Sequence, residues 1–330
     1  MYKYLLIADV HLGLYSDSET WHNITINFFK NVVRTCEKNE IKNIIILGDF
    51  FHERKNINIK TLNVALNIME SLKDYNVYLI AGNHDVYYKN SLIPSSLEIF
   101  NKYKHVNIIN KTHIINDKIA LVPWQEELPN KIDIVMGHFA INSFYMNESM
   151  MYNSKDGLNI KDFKKYKHVF SGHFHTPSKK DNIIYLGSPY QQNFGDADVD
   201  RGCYIFDSET YDIKMIKYTN APKFIKIQTK DKITKDIIEG NFVRLYFNAD
   251  YGRAANNRLI NTVMLFNPLQ LHTDFSNINI EYSETGKTTE FKIKDKNEIL
   301  NDYLDIVKLP SHIKKKTLLN VIKKIMTEED

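Results

Sequence analysis

The chain has 330 residues, 43% hydrophobic and 25% charged, and 43 basic against 40 acidic side chains give a formal net charge of +3. This ordinary globular composition excludes bulk disorder and fibrous repeats, and so slight a positive balance is not the footprint of a strongly basic nucleic-acid-binding domain. Two isolated cysteines, Cys36 and Cys203, argue against a disulfide framework or a thiolate zinc site.

The apolar run that opens the chain, Tyr4–Ala8, ends in Asp9 and lacks the length and cleavage site of a signal peptide. No apolar run approaches the ~20 residues of a membrane helix, so a soluble, cytoplasmic protein is expected (host-cell cytoplasm if the source is viral). Further strand-like runs, rich in Ile, Val, Leu and Tyr, follow at Asn43–Leu47, Val77–Ala81, Ile119–Val122, Ile132–Met136, His168–Phe170, Ile183–Leu186 and Tyr204–Phe206. Their compactness predicts strands buried on both faces. Two amphipathic helices fall between the first three, one with Trp21, Ile24, Phe28 and Val32 on a single face, the other with Leu62, Ala65, Leu66 and Met69. This alternation predicts an α/β fold with helices covering the sheet.

The texture changes after about Ala221-Pro222. A strand-like Phe242–Phe247, a helical stretch from about Arg253 to Leu265 and a strand-like Ile278–Tyr282 predict a small α+β appendage, and 283–290 reads as a polar loop. From about Asn297 the pattern is helical, with Ser311 as a plausible cap. Leu318, Val321, Ile322 and Ile325 form an apolar stripe among lysines. That stripe fits a helix docked on its own domain and a partner-binding helix equally well. The expected organisation is a catalytic domain over 1–217, a small cap over 218–293 and a helical tail over 294–330.

The chemistry lies at the strand ends. Five apolar runs lead directly into polar clusters: Asp9-Val10-His11, Gly48-Asp49, Gly82-Asn83-His84-Asp85, Gly137-His138 and Gly172-His173-Phe174-His175. Sites in open α/β sheets form at the carboxyl ends of strands, and a glycine ahead of four clusters allows a sharp turn or close approach. Taken singly, each cluster also reads as turn chemistry or a core histidine. Six of the twelve histidines, namely His11, His52, His84, His138, His173 and His175, fall in or beside the ordered set. Carboxylate, amide oxygen and imidazole together suit Mn²⁺, Fe²⁺ or Zn²⁺, and a shared carboxylate can bridge two cations ~3.5–4 Å apart, a spacing suited to in-line phosphoryl displacement.

This ordered series resembles the calcineurin-like metallophosphoesterases over about residues 1–210. The resemblance implies a two-sheet sandwich flanked by helices, bearing a dinuclear site. It implies that Asp9, His11, Asp49 and His175 hold one metal, and Asp49, Asn83, His138 and His173 the other, with Asp49 shared. His84 would face the scissile phosphate rather than ligate, and Asp85 would either orient His84 or cap a turn. Within the superfamily, Gly48-Asp49-Phe50-Phe51-His52-Glu53-Arg54, Leu186-Gly187-Ser188-Pro189 and Val122-Pro123-Trp124 are similar to segments of SbcD-type DNA exonucleases and the related phage recombination endonuclease subunits. Phosphoprotein phosphatases instead carry Asp-Arg-Gly and Asn-His-Glu at the corresponding places. The resemblance implies a Mn²⁺-dependent 3′-to-5′ duplex exonuclease and single-strand endonuclease, with His52 holding the phosphate. It further implies that the C-terminal helix binds an SbcC-type coiled-coil ATPase, and it leaves a homodimer open. Arg54, Arg244, Arg253 and Arg258 are candidate contacts to DNA phosphates, although a solvated face explains any one of them as well. A small-molecule or cyclic-nucleotide phosphodiesterase on the same fold, and a non-catalytic DNA-end tether, are the competing readings.

Overall fold

The computed structural model describes residues 2–88, 91–146, 150–247 and 253–275, together with Lys315 and Leu318. Two six-stranded sheets lie face to face. Lys3–Ile7, Asn43–Leu47 and Asn76–Ile80 pair in parallel, joined by the helices Glu19–Asn39 and Ile59–Ser71. Val106–Ile109 extends this sheet on one side, and Gly202–Asp207 and Ile213–Lys217 on the other. The second sheet is built around Ile119–Val122, Ile134–His138, His168–Gly172 and Ile183–Tyr185, all parallel, with an antiparallel strand at each edge.

Side-chain alternation, with a period of two, sorts the strands into layers. Tyr4, Leu6, Ile45 and Leu47 meet Leu121, Met136 and Phe170 between the sheets. Leu5, Ile7, Ile44 and Ile46 point the other way, onto Phe28, Val32, Ala65 and Met69 of the two helices. The outer face of the second sheet, Val135, Val169 and Tyr185, is covered by Phe139, Phe144 and Phe163 of the following segment, which includes one 3-10 turn, Ile160–Phe163. The strands are therefore apolar on both sides, as their composition predicts. In the second helix the buried stripe is Thr61, Ala65, Ile68 and Met69. Leu66 is partly buried, and Ile68 takes the central place expected of Leu62.

Three parallel strands, Phe224–Gln228, Phe242–Tyr246 and Gln270–Asp274, form a separate small sheet. Its crossovers contain the short helix Lys235–Ile238 and the helix Arg253–Leu265. Its own core is Ile227, Ile238, Val243, Leu245, Phe247 and Val263. Trp21 of the first long helix stacks on Phe242 at 5.5 Å and lies 6.1 Å from Phe224, which joins the small sheet to the main body. The expected strand Ile278–Tyr282 lies outside the described residues.

The chain divides into two compact units, Met1–Asn279 and Ile280–Asp330. In the second, Lys315 and Leu318 are helical and half-buried. The rest of the expected tail helix lies outside the described residues. No helix among the described residues is long and apolar enough to cross a membrane.

Candidate metal centre

The polar clusters come from both sheets. Asp9 and His11, Asp49, and Asn83 with His84 follow the three parallel strands of the first. His138 ends one strand of the second, and His173 and His175 follow its neighbour. The turns are sharp: Asp9, His11 and Asp49 sit at φ 53, 49 and 52, and His173 at φ 95. Such left-handed backbone costs about 1–3 kcal/mol per non-glycine residue and persists where the surroundings hold it. Here the first two turns brace each other, because Asp9 N donates to Gly48 O at 3.2 Å, His11 N to Asp49 O at 3.0 Å and Leu12 N to Phe50 O at 2.8 Å. Gly48 has φ 84, and a Cβ there would strike the His138 ring of the other sheet. The glycine is what lets the two sheets close over the site.

Two groups of side chains converge. Asp9, His11 and His175 form one, and Asp49, His138 and His173 the other, each with its ligand atoms within 4.8 Å of one another. His11 Nε2 is 3.0 Å from His175 Nε2 and 3.6 Å from Asp49 Oδ2. Asp49 Oδ2 is 3.4 Å from His138 Nε2, so its carboxylate lies between the groups. Asn83 Oδ1 lies 2.9 Å from both His138 Nε2 and His173 Nδ1. His138 Nδ1 donates to Leu47 O at 2.9 Å, which fixes its tautomer and turns Nε2 toward the site. All seven residues expected as ligands are thus together.

The electrostatics ask for positive charge. Burial pushes Asp9 up to about 7; His138 opposes this and Asp49 adds to it. Burial would also raise Asp49, but His138, His11 and His84 outweigh it and hold that carboxylate low. Burial disfavours a charged His138, yet Asp49 and Asp9 lift it to about 9. Burial, reinforced by His138, drops His173 to about 3, and burial together with His175 takes His11 well below its usual value. Asp9 Oδ2 is buried without a hydrogen-bond partner. An orphaned carboxylate oxygen near His11 and His173, two imidazoles that burial keeps neutral, fits divalent cations, which would neutralise the acids and accept the ring lone pairs.

His11, His52 and His84 make a third group beside the first two. His84 N donates to Asp49 Oδ1 at 2.8 Å, and His84 Nδ1 contacts His52 O at 2.6 Å. A carbonyl only accepts, so Nδ1 carries the proton and Nε2 is left for a substrate. His52 is half-buried, with its ring stacked 5.9 Å from His84 and its Nδ1 3.4 Å from His11 Nδ1. Of the two roles open to Asp85, bracing a turn is the one its contacts describe. Its buried carboxylate accepts from Gly82 N at 3.0 Å, Phe51 N at 3.1 Å and Phe50 N at 3.3 Å, tying two ligand-bearing turns together, while the His52 carbonyl orients His84.

The arginines are more dispersed. Arg54 is half-buried in the loop after His52, and Arg258 is exposed on the helix Arg253–Leu265. The Arg244 guanidinium lies 4.1 Å over the Phe194 ring, and the Arg253 side chain lies outside the described residues. Sequence reasoning missed the supports contributed by 190–201. Arg201, 4% exposed, donates to the His175 carbonyl, to Ser188 Oγ at 2.9 Å and to Asp196 Oδ1 at 2.8 Å. Gln192 Nε2 donates to Asp9 O and Tyr190 OH to Val10 O, both at 2.8 Å. No local pattern marks these residues. Trp124, whose ring is 5.0 Å from His173, was visible only through the Val122-Pro123-Trp124 resemblance.

Residues 2–177 match the model of the calcineurin-like phosphoesterase family. Exonuclease subunit 1 of Enterobacteria phage T4 is 36% identical over 224 residues, 63% of this chain and 65% of that protein. The chain therefore spans just under two thirds of the phage relative. The DNA double-strand break repair protein Mre11 of Nanoarchaeum equitans (strain Kin4-M) is 20% identical over 90% of each chain. The double-strand break repair protein MRE11 of Gallus gallus is 26% identical over 141 residues, 43% of this chain and 16% of that one.

Proposed function

Because the chain belongs to the calcineurin-like phosphoesterase family, we propose that it is a metal-dependent DNA nuclease that cuts duplex ends 3′-to-5′ and single strands internally. One observation carries the reading: the ordered ligand series gathers around Asp49 with His84 beside it. The likeness to exonuclease subunit 1 and to the Mre11 proteins supports DNA as substrate.

Asp9, His11, Asp49 and His175 would hold one divalent cation, and Asp49, Asn83, His138 and His173 a second, Mn²⁺ before Fe²⁺ or Zn²⁺. When bound, such a pair supplies an activated water and neutralises charge on the phosphate oxygens. The chain's own residues do the rest. His84, its Nδ1 engaged by the His52 carbonyl, presents Nε2 to a phosphate or leaving oxygen and donates a proton there when its ring is doubly protonated. His52, stacked beside it, holds the phosphate against the His11 edge of the site. Asp85 keeps the turns bearing Asp49 and Asn83 at fixed separation. Residues 1–217 would carry this chemistry, 218–293 would act as a cap touching DNA, through Arg244, Arg253 and Arg258, and 294–330 would bind a coiled-coil ATPase.

End-labelled linear duplex incubated with Mn²⁺ or with chelator tests the nuclease reading. Nucleotides released from 3′ ends only with Mn²⁺ are expected. Hydrolysis of a small phosphodiester with no cleavage of either DNA form would instead assign a small-molecule enzyme. Inactivity on both would favour a tether. Truncation after Tyr282 should abolish ATPase association, and unchanged association would refute the tail's role.

A further inference from the structure

An open cleft of about 440 Å³ adjoins the candidate centre, with His52 and His175 on one side and Tyr15, Asp17, Glu53 and Gln192 among its walls. That volume is in the range of small-ligand clefts. Tyr15 is 51% exposed, yet its ring is not loose. One face stacks on Trp21 at 4.9 Å and 16°. Trp21 stacks on Phe242 at 5.5 Å and 18°, and Phe242 on Phe224 at 4.5 Å and 11°. Those three rings are buried, so Tyr15 is the solvent-facing end of an aromatic column.

The backbone beneath Tyr15 is held at a cost. Tyr15, Ser16 and Asp17 have φ 52, 56 and 59, three consecutive left-handed residues without a glycine. Tyr15 OH donates to Gln192 O at 2.8 Å, and the same Gln192 donates to Asp9 O. Thr61 Oγ1 bonds the Asp17 carboxylate and lies 2.7 Å from His22 Nε2. Core packing does not require an exposed tyrosine on strained backbone, whereas strain of this kind gathers where a ligand is clamped. Asp17 and Glu53 make the cleft wall acidic, which repels phosphate. Within a nucleotide, this wall therefore suits the uncharged base better than the phosphate, which is left to the His52 side of the cleft.

We propose that Tyr15 is the stacking platform for the nucleobase of the nucleotide whose phosphate lies at His52 and His84. This deepens the nuclease reading and rests on it. An aromatic face stacks any base, so the platform distinguishes nucleotides from baseless phosphodiesters without reading sequence. Tyr15 is a positioning residue: it touches the base and not the reacting phosphate.

The test uses the full chain and its Tyr15→Phe and Tyr15→Ala variants, with two oligonucleotides that differ only in a normal or an abasic 3′-terminal nucleotide. Wild-type protein should prefer the base-bearing end about tenfold or more, the scale of one base-aromatic stack. Tyr15→Phe should keep this ratio and Tyr15→Ala should bring it close to one. A second readout is independent of turnover: 2-aminopurine as the terminal base, with a phosphorothioate at the terminal linkage, should be quenched on binding to wild type and Tyr15→Phe but not to Tyr15→Ala. An unchanged ratio in Tyr15→Ala would overturn the proposal. So would a Tyr15→Phe ratio as low as that of Tyr15→Ala, which would point to the hydroxyl anchor instead of the ring face. DNA cleavage that ignores Tyr15 sinks the stacking role alone. A wild type that neither binds nor cuts DNA while hydrolysing a small phosphodiester sinks the nuclease reading and the platform together.

Discussion

Gly48→Ala is expected to dismantle half of the candidate centre without replacing a ligand. Gly48 sits at φ 84, where an alanine loses ~1–2 kcal/mol. Its new Cβ also meets the His138 ring, which is fully buried and cannot swing into solvent. Displacing that ring breaks its bonds to Leu47 O and Asn83 Oδ1, at roughly 1 kcal/mol each. The sum is about 3–4 kcal/mol, or roughly 4–6 °C in Tm for a chain of this size. The metal effect should be selective. The group around His138 should lose about 10–100-fold in affinity, as when a ligand's support is removed, while the group around His11 and His175 keeps its cation. Gly240→Ala is the control: at φ 67 with no atom near its added Cβ, it carries the backbone cost alone. Mn²⁺ titration by calorimetry and thermal unfolding of both variants decide the matter. Two unchanged binding events in Gly48→Ala, with a Tm equal to that of Gly240→Ala, would refute the reasoning.

Other perturbations follow from the same contacts. Asp85→Ala strands three buried N–H donors and should cost about 3–5 kcal/mol in denaturant unfolding, with Asp85→Asn recovering only part; a variant as stable as wild type would show the turns hold without it. Arg201→Met leaves Asp196 buried and unpaired, for a loss of about 3–5 kcal/mol. A double-mutant cycle with Asp196→Asn should show strong coupling, and additive losses would contradict this. Burial pushes the Cys36 and Cys203 thiols up to about 12, so both should resist alkylation at pH 8 in the native state and react after unfolding. Because the folded pKa values are raised, the stability these thiols contribute is complete below an unfolded value near ~8.5 and is lost as pH climbs toward 12. Rapid native labelling at pH 8 would contradict their burial.

The site was legible because each expected ligand follows an apolar strand by one to five residues, and a buried strand announces itself by composition. Asp9, Asp49, Asn83 and His138 need only the strand end to find them. The layer arrangement was less legible: strands apolar on both faces do not say which face meets the other sheet, and only the structure separates Leu6 from Leu5. Edge and cap strands were missed for a different reason. Ile213–Lys217 is at most half-buried along its length, and Gln270–Asp274 has no buried residue, so neither carries a strong apolar run. Tertiary contacts left no trace either. Arg201 reaches His175 across 26 positions, Gln192 reaches Asp9 across 183, and neither has a neighbour that advertises the bond. Asp85 shows the limit within a motif: the Asn-His-Asp spacing allowed two roles, and the three N–H groups aimed at its carboxylate pick the structural one.

The most direct measurement pairs metal content with turnover in His84→Ala. Both wild type and variant should bind two Mn²⁺ per chain, because His84 braces the site through its backbone N–H and not as an expected ligand. Cleavage of end-labelled DNA should fall about 10²–10⁴-fold in the variant. Cleavage by His84→Ala at the wild-type rate would contradict the account, and so would a wild type that binds no Mn²⁺.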